Sequence, residues 1–180
     1  MNKQIFGLVA TALISSSALA EGGYVGFDIG ITQVEIQPDG FSETYDADPL
    51  TLRVKGGGFI NPNVAIEGYL GLGLKDDTIE DSDLDVGLEN MIGLDVLGVL
   101  PLGDMASVYG KVGFAGLSFE DDDNDTYREN GVTYGVGAKL SLGGSGAITL
   151  DYTVFPDIEN DKVGVDVEVD MISLGYQMSL

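Results

Sequence analysis

Residues 132–154 read VTYGVGAKLSLGGSGAITLDYTV. Apolar side chains take every second position on both sides of the central glycines: Val132, Tyr134, Val136, Ala138, Leu140 and Leu142 before them, Ile148, Leu150, Tyr152 and Val154 after them. A period of two puts alternate side chains on opposite faces of an extended chain, whereas a helix would repeat near 3.6. Gly143-Gly144-Ser145-Gly146 supplies turn-forming residues between the two rows. The stretch therefore predicts two antiparallel strands joined tightly. Their second face is of another kind, carrying Gly135, Gly137, Lys139 and Asp151.

The same alternation extends in both directions. Further apolar rows are Val25, Phe27, Ile29, Ile31; Leu50, Leu52, Val54; Ile66, Leu70, Leu72, Leu74; Val86, Leu88, Ile92, Leu94, Val96; Ala106, Val108, Val112, Phe114; and Ile172, Leu174, Tyr176, Met178, Leu180. That makes eight strands and no segment that asks to be a helix. The links alternate in character. Asn61-Pro62-Asn63, the turn near Pro101 to Asp104, and Gly143 to Gly146 are short; 37–49, 75–85, 120–131 and 156–170 are long and acidic. Alternation alone fits a soluble lipocalin-like binder, apolar side inward, as well as a membrane barrel, apolar side outward. Short turns at one end and long polar loops at the other favour an all-β, eight-stranded antiparallel up-and-down transmembrane β-barrel.

Before the first strand, Lys3, the apolar run Ile5 to Ile14 and Ala18-Leu19-Ala20 have the form of a secretory signal peptide. Residues 1–20 are expected to be cleaved and 21–180 to form the barrel domain, in the outer membrane of a Gram-negative bacterium. The leader takes Lys3 with it and leaves seven basic residues against 30 acidic ones. Such an imbalance argues against nucleic acid as a partner, since phosphates need Lys and Arg. With no His and no Cys in 180 residues, a Ser-His-Asp triad, a thiol nucleophile and an HExxH metal site are all excluded. No catalytic or cofactor-binding residue is assigned, and the chain is expected not to be an enzyme.

The final row, Ile172, Leu174, Tyr176, Met178 and Leu180, alternates to the last residue and resembles the terminal-strand signal read by the outer-membrane barrel assembly machinery, with Leu180 where Phe is usual. Val108-Tyr109-Gly110-Lys111-Val112-Gly113, Gly135-Val136-Gly137-Ala138, Thr149-Leu150-Asp151-Tyr152 and Met171-Ile172-Ser173-Leu174-Gly175 are similar to stretches of the OmpA-type eight-stranded barrel family. The resemblance covers most of residues 22–180. It implies an interior network of acidic and basic side chains, with Lys111 and Asp151 at matching positions. The peptidoglycan-gripping domain of larger members has no counterpart in this sequence.

The residues themselves lead to the same network. A Lys or Arg facing lipid near mid-membrane costs roughly 2–4 kcal/mol, so basic residues mark the lumen. Arg53, Lys55, Lys111 and Lys139 lie opposite the apolar rows, together with Asp28, Glu67, Glu89, Asp95 and Asp151. These nine form the predicted lumen charge network. One reading fills a narrow barrel with ion pairs. The other is a passive low-conductance channel for small solutes, in which Gly26, Gly30, Gly57, Gly71, Gly73, Gly113, Gly135 and Gly137 leave watery pockets.

In the loops, Asp121, Asp123 and Asp125, and likewise Asp81, Asp83 and Asp85, are spaced two apart, as calcium ligands can be. Neither run completes an EF-hand: Thr126 or Val86 stands where Gly is needed, Val132 or Ile92 where Glu is needed. A solvated acidic surface is the expectation, with Ca or Mg loosely held between the loops and lipopolysaccharide phosphates. Near the C-terminus, Val163, Val165, Val167 and Val169 are odd-numbered whereas the row from Ile172 is even-numbered. The shift predicts a bulge near Asp170 and Met171 and a raised edge bearing Asp166, Glu168 and Asp170, open to a surface protein partner. Eight closed strands suffice for a monomer. The expected role is structural or surface-interacting, with a charged, plugged lumen and acidic extracellular loops.

Overall fold

The computed structural model describes residues 22–38, 45–47, 49–75, 77–78, 85–120, 126–155, 158–160 and 165–180. Eight long strands form one antiparallel circuit: β1 (Gly23–Pro38), β2 (Leu50–Asn61), β3 (Val64–Lys75), β4 (Asp85–Pro101), β5 (Ala106–Glu120), β6 (Thr126–Gly143), β7 (Gly146–Val154) and β8 (Val165–Ser179). Each pairs with the next in sequence, and β8 returns to β1 from Tyr24↔Ser179 to Pro38↔Val165, which closes the barrel. Closure satisfies the edge groups that hydrocarbon cannot solvate. The expected signal peptide lies outside the described residues.

Which face turns outward follows the alternation. On β6, Val132, Tyr134 and Val136 are 58–61% exposed, whereas Thr133 between them is 1% exposed. Phe27, Leu94, Phe114 and Leu174 are likewise exposed, while Asp28, Arg53, Lys55, Glu67, Asp95, Lys111 and Asp151 of the opposite rows are buried. The soluble lipocalin-like alternative requires the reverse and is excluded. An apolar exterior is stable only against lipid.

The short connections are built as their sequences indicate. The Asn63 N–H donates to Asn61 Oδ1 at 2.9 Å, and Gly143 and Gly144 adopt φ of 89° and 62°, where a side chain would be strained. At the other end the strands run further than hydropathy suggests. β1 continues to Pro38, β6 begins at Thr126, and the short segments Tyr45–Ala47, Asp77–Thr78 and Ile158–Asn160 add pairing to β1, β4 and β8. The apolar rows mark the membrane belt. Ladder hydrogen bonds continue beyond it, where both faces can be polar.

The bulge expected near Asp170 and Met171 is absent. β8 pairs residue by residue with β1 and with β7 through this point. What changes is the content of the inward face: Val169 and Met171 are buried at 1% and 0% exposure, and they point inward in unbroken phase with Ser173. The apolar residues switch sides because this part of the interior is apolar. The raised edge also differs from expectation, since Val165–Val167 has β1 on one side and Ile158–Asn160 on the other.

Candidate functional site

The strands bring the interior residues into layers. In the middle layer Asp28 of β1 receives Arg53 of β2, whose Nη2 lies 2.7 Å and whose Nε lies 2.9 Å from Asp28 Oδ2. Lys55, two residues further along β2, bridges two acids, with Nζ 2.9 Å from Asp28 Oδ1 and 3.4 Å from Asp151 Oδ2. Lys111 Nζ reaches Asp151 Oδ1 at 3.2 Å. The result is an alternating chain, Arg53–Asp28–Lys55–Asp151–Lys111, in which every neighbour has opposite charge. Hydroxyls complete it. Tyr109 donates to Asp151 Oδ1 at 2.9 Å, Lys55 donates to Thr149 Oγ1 at 3.2 Å, and Arg53 Nη2 donates to Ser173 Oγ at 3.3 Å.

Glu67 and Asp95 stand beside this chain. They are direct cross-strand partners on β3 and β4, both buried, and neither forms an ion pair among the described residues. Neutral donors hold them instead: Tyr24 donates to Glu67 Oε2 at 2.9 Å and Thr133 to Asp95 Oδ1 at 3.0 Å.

Above the charged layer, toward the long loops, Tyr69, Met91, Ala115, Leu117, Phe155, Val169 and Met171 form a buried apolar cluster. The Arg53 guanidinium lies 5.1 Å from the Tyr69 ring centroid and links the two layers. Toward the short turns, Tyr24, Ala65, Leu97 and Tyr109 form a second cluster, with Phe59 and Val99 packed on it.

Glycines set how these side chains lie. A Cβ on Gly57 would meet the Tyr24 phenol, on Gly71 Met91, on Gly113 Asp95, on Gly135 Lys111, on Gly137 Tyr109 and on Gly175 Asp28. Each of these side chains leans across the neighbouring strand, over a residue that has none. Side chains of neighbouring strands therefore lie over Gly57, Gly71, Gly113, Gly135 and Gly137, five of the positions where watery pockets were expected. A Cβ on Gly26 or Gly30 would lie 2.8 Å from the Tyr176 carbonyl oxygen or 2.7 Å from that of Ile172.

Of the nine predicted network residues, Asp28, Arg53, Lys55, Glu67, Asp95, Lys111 and Asp151 are buried in the interior together. Lys139 is half-buried near the short-turn end, its Nζ 5.4 Å from the Phe59 ring centroid. The Glu89 side chain lies outside the described residues, as do those of Asp81, Asp83, Asp85, Asp121, Asp123 and Asp125 and of the edge acids Asp166 and Glu168. Asp170 faces outward and accepts from the Tyr152 hydroxyl at 3.4 Å. In β8, Ile172, Leu174, Tyr176 and Met178 point outward, with Leu180 following them. Sequence reasoning missed Tyr24, Tyr69 and Tyr109. Their signal was present, since each is an aromatic residue on the parity of the charged face.

The profile of the outer membrane protein beta-barrel domain matches residues 6–178. The chain belongs to that family. Membership places it in the Gram-negative outer membrane, among small eight-stranded barrels of the OmpA type. Among solved structures it is similar to Ail, the attachment invasion locus protein of Yersinia pestis, at 20% identity and a TM-score of 0.52 over 87% of this chain and 99% of that one. It is also similar to neisserial surface protein A, at 15% identity and a TM-score of 0.60 over 87% of this chain and 96% of that one. No curated protein sequence matches the chain. These likenesses share the fold of this outer-membrane barrel, while its interior layers come from its own residues.

Proposed function

We propose that this barrel is a closed, non-enzymatic scaffold of the outer membrane whose work is done by the acidic loops it holds above the bilayer. The observation that carries this reading is the layering of the interior, a paired charged layer between two apolar clusters with side chains lying across the lumen-side glycines. An eight-stranded barrel has room for little more than its own side chains. The absence of any His or Cys supports a non-enzymatic role. Refolded into liposomes carrying a potassium gradient, the protein is expected to leave the gradient intact; leakage proportional to the amount of folded protein supports the passive channel instead.

The partners follow from chemistry. The assembly machinery takes up the chain through the β8 row ending at Leu180, and the folded barrel is a monomer in lipid. Divalent cations, loosely held, bridge the acidic loops to lipopolysaccharide phosphates, which would otherwise repel them. Calcium or magnesium should then raise the thermal midpoint more in lipopolysaccharide than in uncharged detergent. An equal rise in both media would remove the bridge and leave the loops as a solvated surface or a docking point for a surface protein.

A further inference from the structure

Three of the four basic side chains described inside the barrel are matched with carboxylates, and one is not. Arg53, Lys55 and Lys111 all sit within 3.4 Å of an acidic oxygen. Lys139 makes no ion pair or hydrogen bond among the described residues; its one contact of this kind is with the Phe59 ring. β6 and β2 are four strands apart in a ring of eight, so Lys139 reaches across the lumen to the opposite wall. It does so at the end carrying the short turns, which is the periplasmic end of such barrels.

A second, independent feature lies next to it. Ser107 is the direct cross-strand partner of Lys139 on β5, and it is 7% exposed with an Oγ that has no hydrogen-bond partner among the described residues. Partners across an antiparallel pair place their Cβ atoms about 5 Å apart. The next row toward the mouth holds Ser141, Ala147 and Gln177, which the pairing of β6, β7 and β8 sets side by side on the same face. A lysine whose ammonium projects into the lumen without a counter-charge therefore shares a cross-strand pair with a buried hydroxyl that lacks a partner among the described residues, in a mouth edged by another hydroxyl and an amide.

We propose that this periplasmic mouth binds an oxyanion, a carboxylate or phosphate group, held by Lys139 and Ser107. A buried hydroxyl left unpaired is costly, and a charge-assisted bond from a lysine is among the stronger polar contacts. One anion satisfies both groups at once. A cation is disfavoured there by Lys139 itself. Lipid headgroups are not the source, because both side chains are on the lumen face. The ligand comes from the periplasm, either as a free ion or as an acidic group of a larger molecule.

The test is an amide chemical-shift titration of the full-length mature protein in uncharged detergent micelles. Inorganic phosphate and acetate are the probes, at ionic strength held constant with sodium chloride to remove screening effects. Saturable shifts centred on residues 107, 139, 141 and 177 are expected with at least one probe. Lys139→Gln should weaken binding about tenfold or more and Ser107→Ala about fivefold, while Lys139→Arg retains it. Lys139 carries no ion pair among the described residues, so these variants should still fold and show heat-dependent mobility on a gel. Shifts that never saturate, that chloride reproduces, or that persist unchanged in Lys139→Gln would overturn the proposal. A potassium leak through the barrel, which would overturn closure, leaves this result untouched.

Discussion

Asp151 holds two lysines at once, and its loss would leave Lys111 without its paired carboxylate and Lys55 with Asp28 alone, which Arg53 shares. Removing one partner from a buried pair costs about 3–5 kcal/mol, because the other charge remains buried. Asp151→Asn is therefore expected to destabilise the barrel by that order in urea unfolding from lipid vesicles. Glu67 and Asp95 behave differently. Neither pairs with a base among the described residues, so Glu67→Gln and Asp95→Asn should stay within about 1 kcal/mol of the parent, since each keeps a polar group for its hydroxyl donor. Equal penalties at Asp151 and Glu67 would show that the ion pairs are not what orders the interior.

Glycines divide by face in the same way. Gly113→Ala places a methyl group against Asp95 and the Leu94 carbonyl and should cost about 1–3 kcal/mol. Gly98→Ala and Gly110→Ala point toward lipid, where a Cβ meets nothing closer than the Gly135 carbonyl at 4.0 Å, and should change stability by no more than about 0.5 kcal/mol. Legibility at this scale depended on charge. Lys111 and Asp151 stood out because a charge on a membrane strand must face inward, whereas Thr133, Thr149 and Ser173 carry hydroxyls that either face can accept, so only their parity with the charged residues marked them.

At the scale of the strand, the period of two decided nearly everything that the sequence disclosed. It placed the eight strands and their outward faces, from Phe27 to Leu174. It misled at β8, where the move of apolar residues to odd positions suggested a bulge. Parity states which residues share a face; it does not state what that face meets. Val169 and Met171 join Leu117 and Phe155 in an apolar layer inside the barrel, so an inward apolar residue is as regular there as an outward one lower down. Leu117→Ala should open a cavity in that layer and cost about 2–5 kcal/mol by denaturant unfolding. A cost near zero would mean that the layer is loosely packed. The ends of strands were equally hidden, because β1 and β6 continue with polar residues once the chain leaves the membrane belt.

For the whole molecule, one circuit of hydrogen bonds separates two chemistries. The outer wall is apolar and fits lipid; the interior is charged at mid-height and apolar on either side. Fixed pairs in so narrow a barrel support the proposed scaffold over a channel. The Arg53–Asp28–Lys55–Asp151–Lys111 chain ties β1, β2, β5 and β7 across the lumen, so neutralising an end of the chain should loosen the barrel as a unit. Single-channel recording in a planar bilayer, on the folded protein and on its Lys111→Gln variant, is the most direct measurement. The expected result is silence from the parent protein, with current steps confined to the variant if they occur at all. Steady discrete conductance from folded parent protein, unaltered by Lys111→Gln, would contradict a lumen closed by its own side chains.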